Sequence, residues 1–272
     1  MLVLIHPNEA AVIAEAYGIV RRHMTAKPAI TLGLATGGTP VRLYEAMIAG
    51  YSRGEIDFAR VKTFNLDEYV GLAQDHPQSY YHFMNVHLFN LVNIQRRNIH
   101  FLSGLPHDIE KHCEEYEKLI VKAGGIDLQI LGIGRDGHIG FNEPSSSLCS
   151  RTRDKTLTRE TIEDNRRFFT KDEDMPRWAL TMGVGTILDS RNILVLATGR
   201  AKANAVAAMV EGPLTAMCPA SALQMHPRVT LVVDEAAASK LNQDAYYRWM
   251  QANDYRMYDL LEKGKRTRRR RA

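Results

Sequence analysis

Apolar runs of strand length, separated by stretches of helical periodicity, constrain this chain most. VLI at 3–5, AITLGLA at 29–35, VKTFNL at 61–66, IDLQILGIG at 126–134, NILVLATG at 192–199 and VTLVVD at 229–234 are dominated by apolar residues. A strand with one wet face alternates polar and apolar side chains; a strand buried on both faces does not. Helical patterns lie between the runs. One is capped by Asn8 and reaches about Thr25. Others are VRLYEAMIAG, SYYHFMNVHLF at 79–89, DIEKHCEEYEKLIVKAG at 108–124 and RAKANAVAAMVEG. The alternation predicts an α/β fold with a mostly parallel, doubly wound sheet covered on both faces. No linker-like change of composition precedes residue 262, so residues 1–262 read as one domain.

The rest of the composition bounds the functional classes. No apolar stretch reaches the roughly 18 residues that a membrane span needs, and no membrane partner is expected. MLVLIHPNEA lacks a basic leader region and a small-residue cleavage site, and reads as a first strand. Three cysteines at long spacings, Cys113, Cys149 and Cys218, form no CxxC pair. They read as buried or half-buried free thiols of a reducing cytoplasm. The net charge of +4 is local: KGKRTRRRRA carries seven positive charges from Lys263 onward, so the body is near −3. Residues 263–272 read as a basic, disordered tail. A nucleic-acid partner is not expected apart from that tail.

Ligands in open α/β sheets bind beyond the carboxyl ends of the strands, and four such ends carry unusual residues. In LGLATGGTPVRLYEA, Thr36, Gly37, Gly38 and Thr39 make a turn, with Thr39 as cap and Pro40 in the first helical position. Such a turn cradles a phosphate or sugar hydroxyls, or is an ordinary tight connection. It matches neither the dinucleotide-binding GxGxxG pattern nor a Walker loop. In TFNLDEYVGL, Asp67 and Glu68 follow an apolar run. There Asp67 is a general base or a turn-forming residue. In LGIGRDGHIGFNEP, four glycines let Asp136, His138 and Glu143 converge. That set moves protons, forms a hydrogen-bond knot or holds a metal, in that order of preference. In LATGRAKANAV, Lys202 enters a helix at its N-terminus, where a cation opposes the dipole unless an anion is present. Arg166 and Arg167 are candidates for a second cation.

Taken together, LGLATGGTP, TFNLDEYVGL, LGIGRDGHIGFNEPSSSL, SRTRDKTLT and EGPLTAMCPASALQMHP resemble the glucosamine-6-phosphate deaminase family, over about residues 1–250. The resemblance implies a three-layer, modified Rossmann-like sandwich. It implies conversion of glucosamine 6-phosphate to fructose 6-phosphate and ammonia in amino-sugar breakdown, with no metal or redox cofactor. Carried over, His138 assists ring opening with Asp136 and Glu143 in support, and Asp67 takes the C2 proton. Thr36, Gly37, Gly38, Thr39, Arg167 and Lys202 become contacts to the sugar and its phosphate. A homo-oligomer is implied, with a hexamer as one form. Some members have an effector site for N-acetylglucosamine 6-phosphate, which would map to Ser146, Ser147, Arg153, Lys155 and Thr156. Its aromatic contact would come from Tyr246 or Tyr247, unless Arg248 replaces it. Three rivals remain: a phosphogluconolactonase-like hydrolase, a non-catalytic sugar-phosphate sensor, and a nucleic-acid binder working through the tail.

Overall fold

The structure, a computed structural model, describes residues 1–166, 169 and 175–254. Arg167 and residues 263–272 therefore lie outside the described residues.

Seven strands form a parallel sheet: β1 (Leu2–His6), β2 (Thr31–Leu34), β3 (Lys62–Asn65), β5 (Ile99–His100), β6 (Leu128–Leu131), β9 (Ile193–Ala197) and β10 (Val229–Asp234). Their order is β1-β10-β9-β6-β2-β3-β5. Alternate side chains of each strand feed two separate cores. On one face, Leu32, Leu34, Leu128, Ile130, Leu194 and Leu196 pack against α1 (Glu9–Ala26), α2 (Gly38–Ser52) and α3 (Tyr80–His87). On the other, Leu131, Ile193, Val195 and Val233 meet α4 (Ile109–Lys122), α7 (Ala203–Glu211) and α8 (Glu235–Ala238). This two-sided burial is why the strands read as continuous apolar runs. The three layers match the expected sandwich.

Local signals place the helix starts. Asn8 accepts the Ala11 N–H at 3.0 Å, Ser79 accepts that of His82 at 3.0 Å, and Asp108 accepts that of Lys111 at 3.0 Å. The expected cap at Thr39 is wrong. Helix α2 begins at Gly38 with Gly37 as its cap, and no side chain closes that end. Gly37 has φ 107°, which permits the tighter start. Among the thiols, Cys113 and Cys218 are buried as expected, whereas Cys149 is exposed.

A second, antiparallel sheet was not foreseen. It is built from β4 (Asp67–Tyr69), β7 (Arg153–Thr156) and β8 (Trp178–Thr181), in the order β4-β8-β7. These strands are three or four residues long, and β7 alternates between half-buried and exposed positions. Two backbone bonds join the sheets at one residue: Leu66 donates to Leu34 at 3.0 Å and accepts from Met182 at 2.6 Å. Helix α5 (Arg159–Arg166) follows β7, and α6 (Val184–Leu188) follows β8. Helix α9 (Asp244–Asn253) closes the β1 edge, where Gln251 accepts the Ile5 N–H at 3.0 Å.

One glycine is required by packing. The Gln129 side chain of β6 lies across Gly33 of β2, in the space where a Cβ would stand. Gly33→Ala should therefore cost about 1–3 kcal/mol by overpacking. Urea denaturation of Gly33→Ala alone and combined with Gln129→Ala checks this. The second change should restore part of the loss.

Candidate active site

Sheet order sets the order of the functional loops. Neighbouring strands β9, β6, β2 and β3 deliver, side by side, the turn before Lys202, the segment 132–140, the turn 36–39 and Asp67. All four line one cleft of about 470 Å³. Thr36, Gly37, Gly38 and Thr39 form one wall, with the uncapped start of α2 opening onto it. An added Cβ at Gly38 would meet nothing within 4 Å, so bare backbone faces the space. Lys202 also lines the cleft, from the end of a short 3-10 turn rather than inside the helix. Arg166 is exposed and is not part of the lining; Thr161 and Asn165 of the same helix are.

The segment after β6 folds back on itself. Gly134 donates to the His138 carbonyl at 2.9 Å, and His138 N–H reaches Asp136 Oδ1 at 3.2 Å. Gly137, at φ 88°, presents its Cα to the Cys218 thiol with no room for a side chain. Its carbonyl accepts the Ala220 N–H at 2.9 Å. The far end of the segment is tied to the small sheet. Phe141 N–H donates to Thr181 Oγ1 at 3.1 Å, and Asn142 Nδ2 donates to the Met182 carbonyl at 2.8 Å. Asn142 Oδ1 accepts from Arg153 at 3.0 Å.

These ties bring the three ionisable side chains together. His138 Nδ1 lies 2.8 Å from Asp136 Oδ1 and 3.4 Å from Glu143 Oε2. The ring N–H points squarely at neither oxygen, so the contact is an ion pair straddled by two acids. Burial alone would lower the imidazole pKa; the two acids outweigh it and hold His138 at about 9. Asp136 is shifted the opposite way: burial would raise it, but His138 keeps it below the usual carboxylate range. Ligand atoms of all three side chains lie within 4.8 Å of one another, a spacing a metal ion would also fit. Both carboxylates, however, converge on one ring nitrogen that is protonated below about pH 9. A metal would have to displace that proton.

Asp67 sits in β4 rather than in a turn, so the turn-forming reading of it fails. It pairs with Thr181 in the small sheet and is 6 % exposed. Burial raises its pKa to about 8, helped by the charge of Glu68 and opposed by that of His138. Sequence reading missed Tyr80, Phe141 and Arg135, which also line the cleft. Tyr80 stacks on Phe141 with ring centroids 5.8 Å apart and planes at 9°. An aromatic at the start of a helix gives no signal of such a role.

The effector residues implied by the resemblance lie outside the cleft lining. Ser146 is buried with its Oγ unbonded, and Ser147 accepts from Cys149 N–H at 3.3 Å. Arg153, Lys155 and Thr156 are on β7. Tyr247 is buried and donates to Glu211 at 3.1 Å, Tyr246 is exposed, and Arg248 pairs with Glu235 and Asp244.

The chain is similar to known proteins. The glucosamine-6-phosphate isomerases/6-phosphogluconolactonase family model matches residues 8–232. A glucosamine-6-phosphate deaminase of Shewanella woodyi is 52% identical over 263 residues, covering 97% of this chain and 100% of that protein. The solved structure of a monomeric glucosamine-6-phosphate deaminase superposes with a TM-score of 0.86 at 41% identity, covering 88% and 100% of the two chains. A 6-phosphogluconolactonase from Trypanosoma brucei shares the fold, with a TM-score of 0.69 at 19% identity, covering 88% and 98%. The chain belongs to the glucosamine-6-phosphate isomerase/6-phosphogluconolactonase family.

The geometry makes a test of the His138 environment direct. Asp136→Asn removes one of two acids at the imidazole, and the His138 pKa should drop from about 9 by about one to two units. Proton NMR of the ring across pH 6–10 measures it.

Proposed function

We propose that this chain converts glucosamine 6-phosphate to fructose 6-phosphate and ammonia. The supporting observation is that Asp67 and His138, the latter flanked by Asp136 and Glu143, line the same cleft as the open start of α2. The relatives named above as glucosamine-6-phosphate deaminases agree with this reading. The uncapped first turn of α2 offers backbone N–H groups to a phosphate, and Lys202 adds a cation. Arg167, outside the described residues, belongs to the same proposed anion site.

The proton chemistry follows from the two ionisable walls. His138 gives a proton to the ring oxygen and receives the one from the anomeric hydroxyl, which opens the pyranose. Asp136 and Glu143 hold the imidazole charged for the first half of that exchange. Asp67 then takes the C2 proton of the open aldehyde and leaves an enolamine. Protonation at C1 gives an iminium at C2; water adds there, and ammonia leaves. A C2 proton beside a carbonyl is too weakly acidic for a free carboxylate to take quickly. A fixed, partly desolvated one at about pKa 8 is a stronger and better-aimed base.

Three outcomes test the reading. Ammonia release should fall by about 10²–10⁴-fold in Asp67→Asn. His138→Gln should slow turnover of the cyclic sugar phosphate more than that of an open-chain analogue. In the wild type, kcat/KM should rise as pH passes about 8, where Asp67 ionises, and fall above about 9, where His138 loses its proton. Both limbs belong to the coupled set rather than to single residues. Lactone hydrolysis without ammonia release would overturn the reading in favour of the lactonase.

Effector control through Ser146, Ser147, Arg153, Lys155 and Thr156 is a second proposal. Its support is the bond from Arg153 to Asn142, one residue from Glu143. An anion that drew Arg153 away would loosen the segment carrying the acid. Adding N-acetylglucosamine 6-phosphate to the ammonia assay should then change KM or kcat in the wild type and not in Arg153→Ala. An oligomer is proposed on the family resemblance, and sedimentation velocity measures it.

A further inference from the structure

Glu68 stands next to the proposed base, yet it is 1 % exposed and is not part of the cleft lining. Alternation along β4 turns residues 67 and 68 to opposite faces. The Glu68 carboxylate accepts three backbone N–H groups: those of Tyr69 and Tyr80 at 2.9 Å, and that of Tyr81 at 3.0 Å. Two of these open helix α3, which Ser79 already caps through His82. A buried acid is a costly addition to a helix end that a serine already closes.

We propose that Glu68 is a positioning residue of the reaction: as a buried acid next to Asp67 on β4 it sets the charge around the base, while its hold on the start of α3 fixes the Tyr80 wall of the cleft. The inference rests on the reading of Asp67 as the base.

The charges around Asp67 support the first half. After burial, Glu68 is the largest influence raising the Asp67 pKa, and His138 acts against it. Among the described residues, the ionisable groups that feel the charge of Asp67 include Tyr44 of α2, Tyr69, Tyr80 and Tyr116 of α4, and Arg135 and Lys202 line the same cleft. Burial holds all four phenols far above their usual range, so they are neutral wherever Asp67 titrates. Glu68 itself is raised to about 7, burial outweighing its three N–H donors. Its three N–H donors all favour the carboxylate form, so its charge is held beside the base. The second half rests on contacts of Tyr80. Its ring stacks on Phe141 of the catalytic segment, and its hydroxyl lies 3.3 Å from that of Tyr69 and bonds the Thr36 side chain.

The experiment is the pH profile of ammonia release from glucosamine 6-phosphate. Glu68→Gln keeps an acceptor and loses the charge. The acidic limb of kcat/KM should move down by about one pH unit, with kcat reduced because the base is weaker. Glu68→Asp keeps the charge but shortens the reach to α3; its acidic limb should stay within about 0.3 unit of the wild type while kcat falls. An unmoved limb in Glu68→Gln, or equal movement in both variants, overturns the inference. Should Glu68→Gln fail to fold, carbon-13 NMR of the wild-type carboxyls decides. The Asp67 signal should titrate in two steps, the first following Glu68, and a one-step titration overturns the inference. Full ammonia release by Asp67→Asn sinks the parent reading instead. Loss of release there, with an unmoved limb in Glu68→Gln, sinks this one alone.

Discussion

Leu66 is the hinge of the design. Its N–H completes the ladder of the parallel sheet at Leu34, and its carbonyl accepts Met182 from the small sheet. One peptide thereby changes sheets between Asn65 and Asp67. Without that change, the strand would run on past the carboxyl edge, and Asp67 would have no fixed place above it. With it, Asp67 is held by pairing with Thr181, the same residue whose hydroxyl accepts the Phe141 N–H. The proposed base and the segment bearing the proposed acid are thus anchored to one strand. Gly140, at φ 57°, makes the approach possible: an added Cβ would stand 3.0 Å from Thr181 Oγ1 and 3.3 Å from Asp67 Oδ2.

That shared anchor also sets the electrostatics. A buried carboxylate and a buried imidazole would each prefer to be neutral. His138 is kept charged because two acids meet at one nitrogen, and one of them, Glu143, is 1 % exposed and cannot be solvated away. Among the described residues Asp67 has no comparable partner, and burial raises it instead. The same cleft thus holds a strong base and a proton donor with neighbouring titration ranges. Proton transfer in both directions at different carbon and oxygen atoms needs that balance.

The sequence discloses the part of this that depends on bulk burial. Runs such as NILVLATG and VTLVVD are legible because both faces of a parallel strand are apolar. The convergence of Asp136, His138 and Glu143 is legible because glycines at Gly137 and Gly140 free the backbone. The small sheet is not. RDKT in β7 has no apolar alternation, and DEY in β4 is three residues long, so pairing with β8 decides their conformation. Nor does the sequence show that Thr39 is not the cap: Gly37 adopts a positive φ that lets the helix start earlier. Glu68 showed only as a second acid; its burial and its three N–H partners are tertiary facts.

Fold alone does not separate the chemistries in this family, since a lactonase at 19% identity superposes on it with a TM-score of 0.69. The separation lies in what each reaction asks of the cleft. Lactone hydrolysis needs a water activated beside an ester carbonyl. Isomerisation needs a base strong enough for a carbon acid and an imidazole that can return a proton to oxygen. A carboxylate raised to about 8 by burial is a disadvantage to a protein that only binds an anionic sugar phosphate, because it adds negative charge or an idle proton to the site. The expense of burying Asp67 in one cleft with His138 is therefore a feature that a sensor has no reason to keep and that carbon-acid chemistry would use.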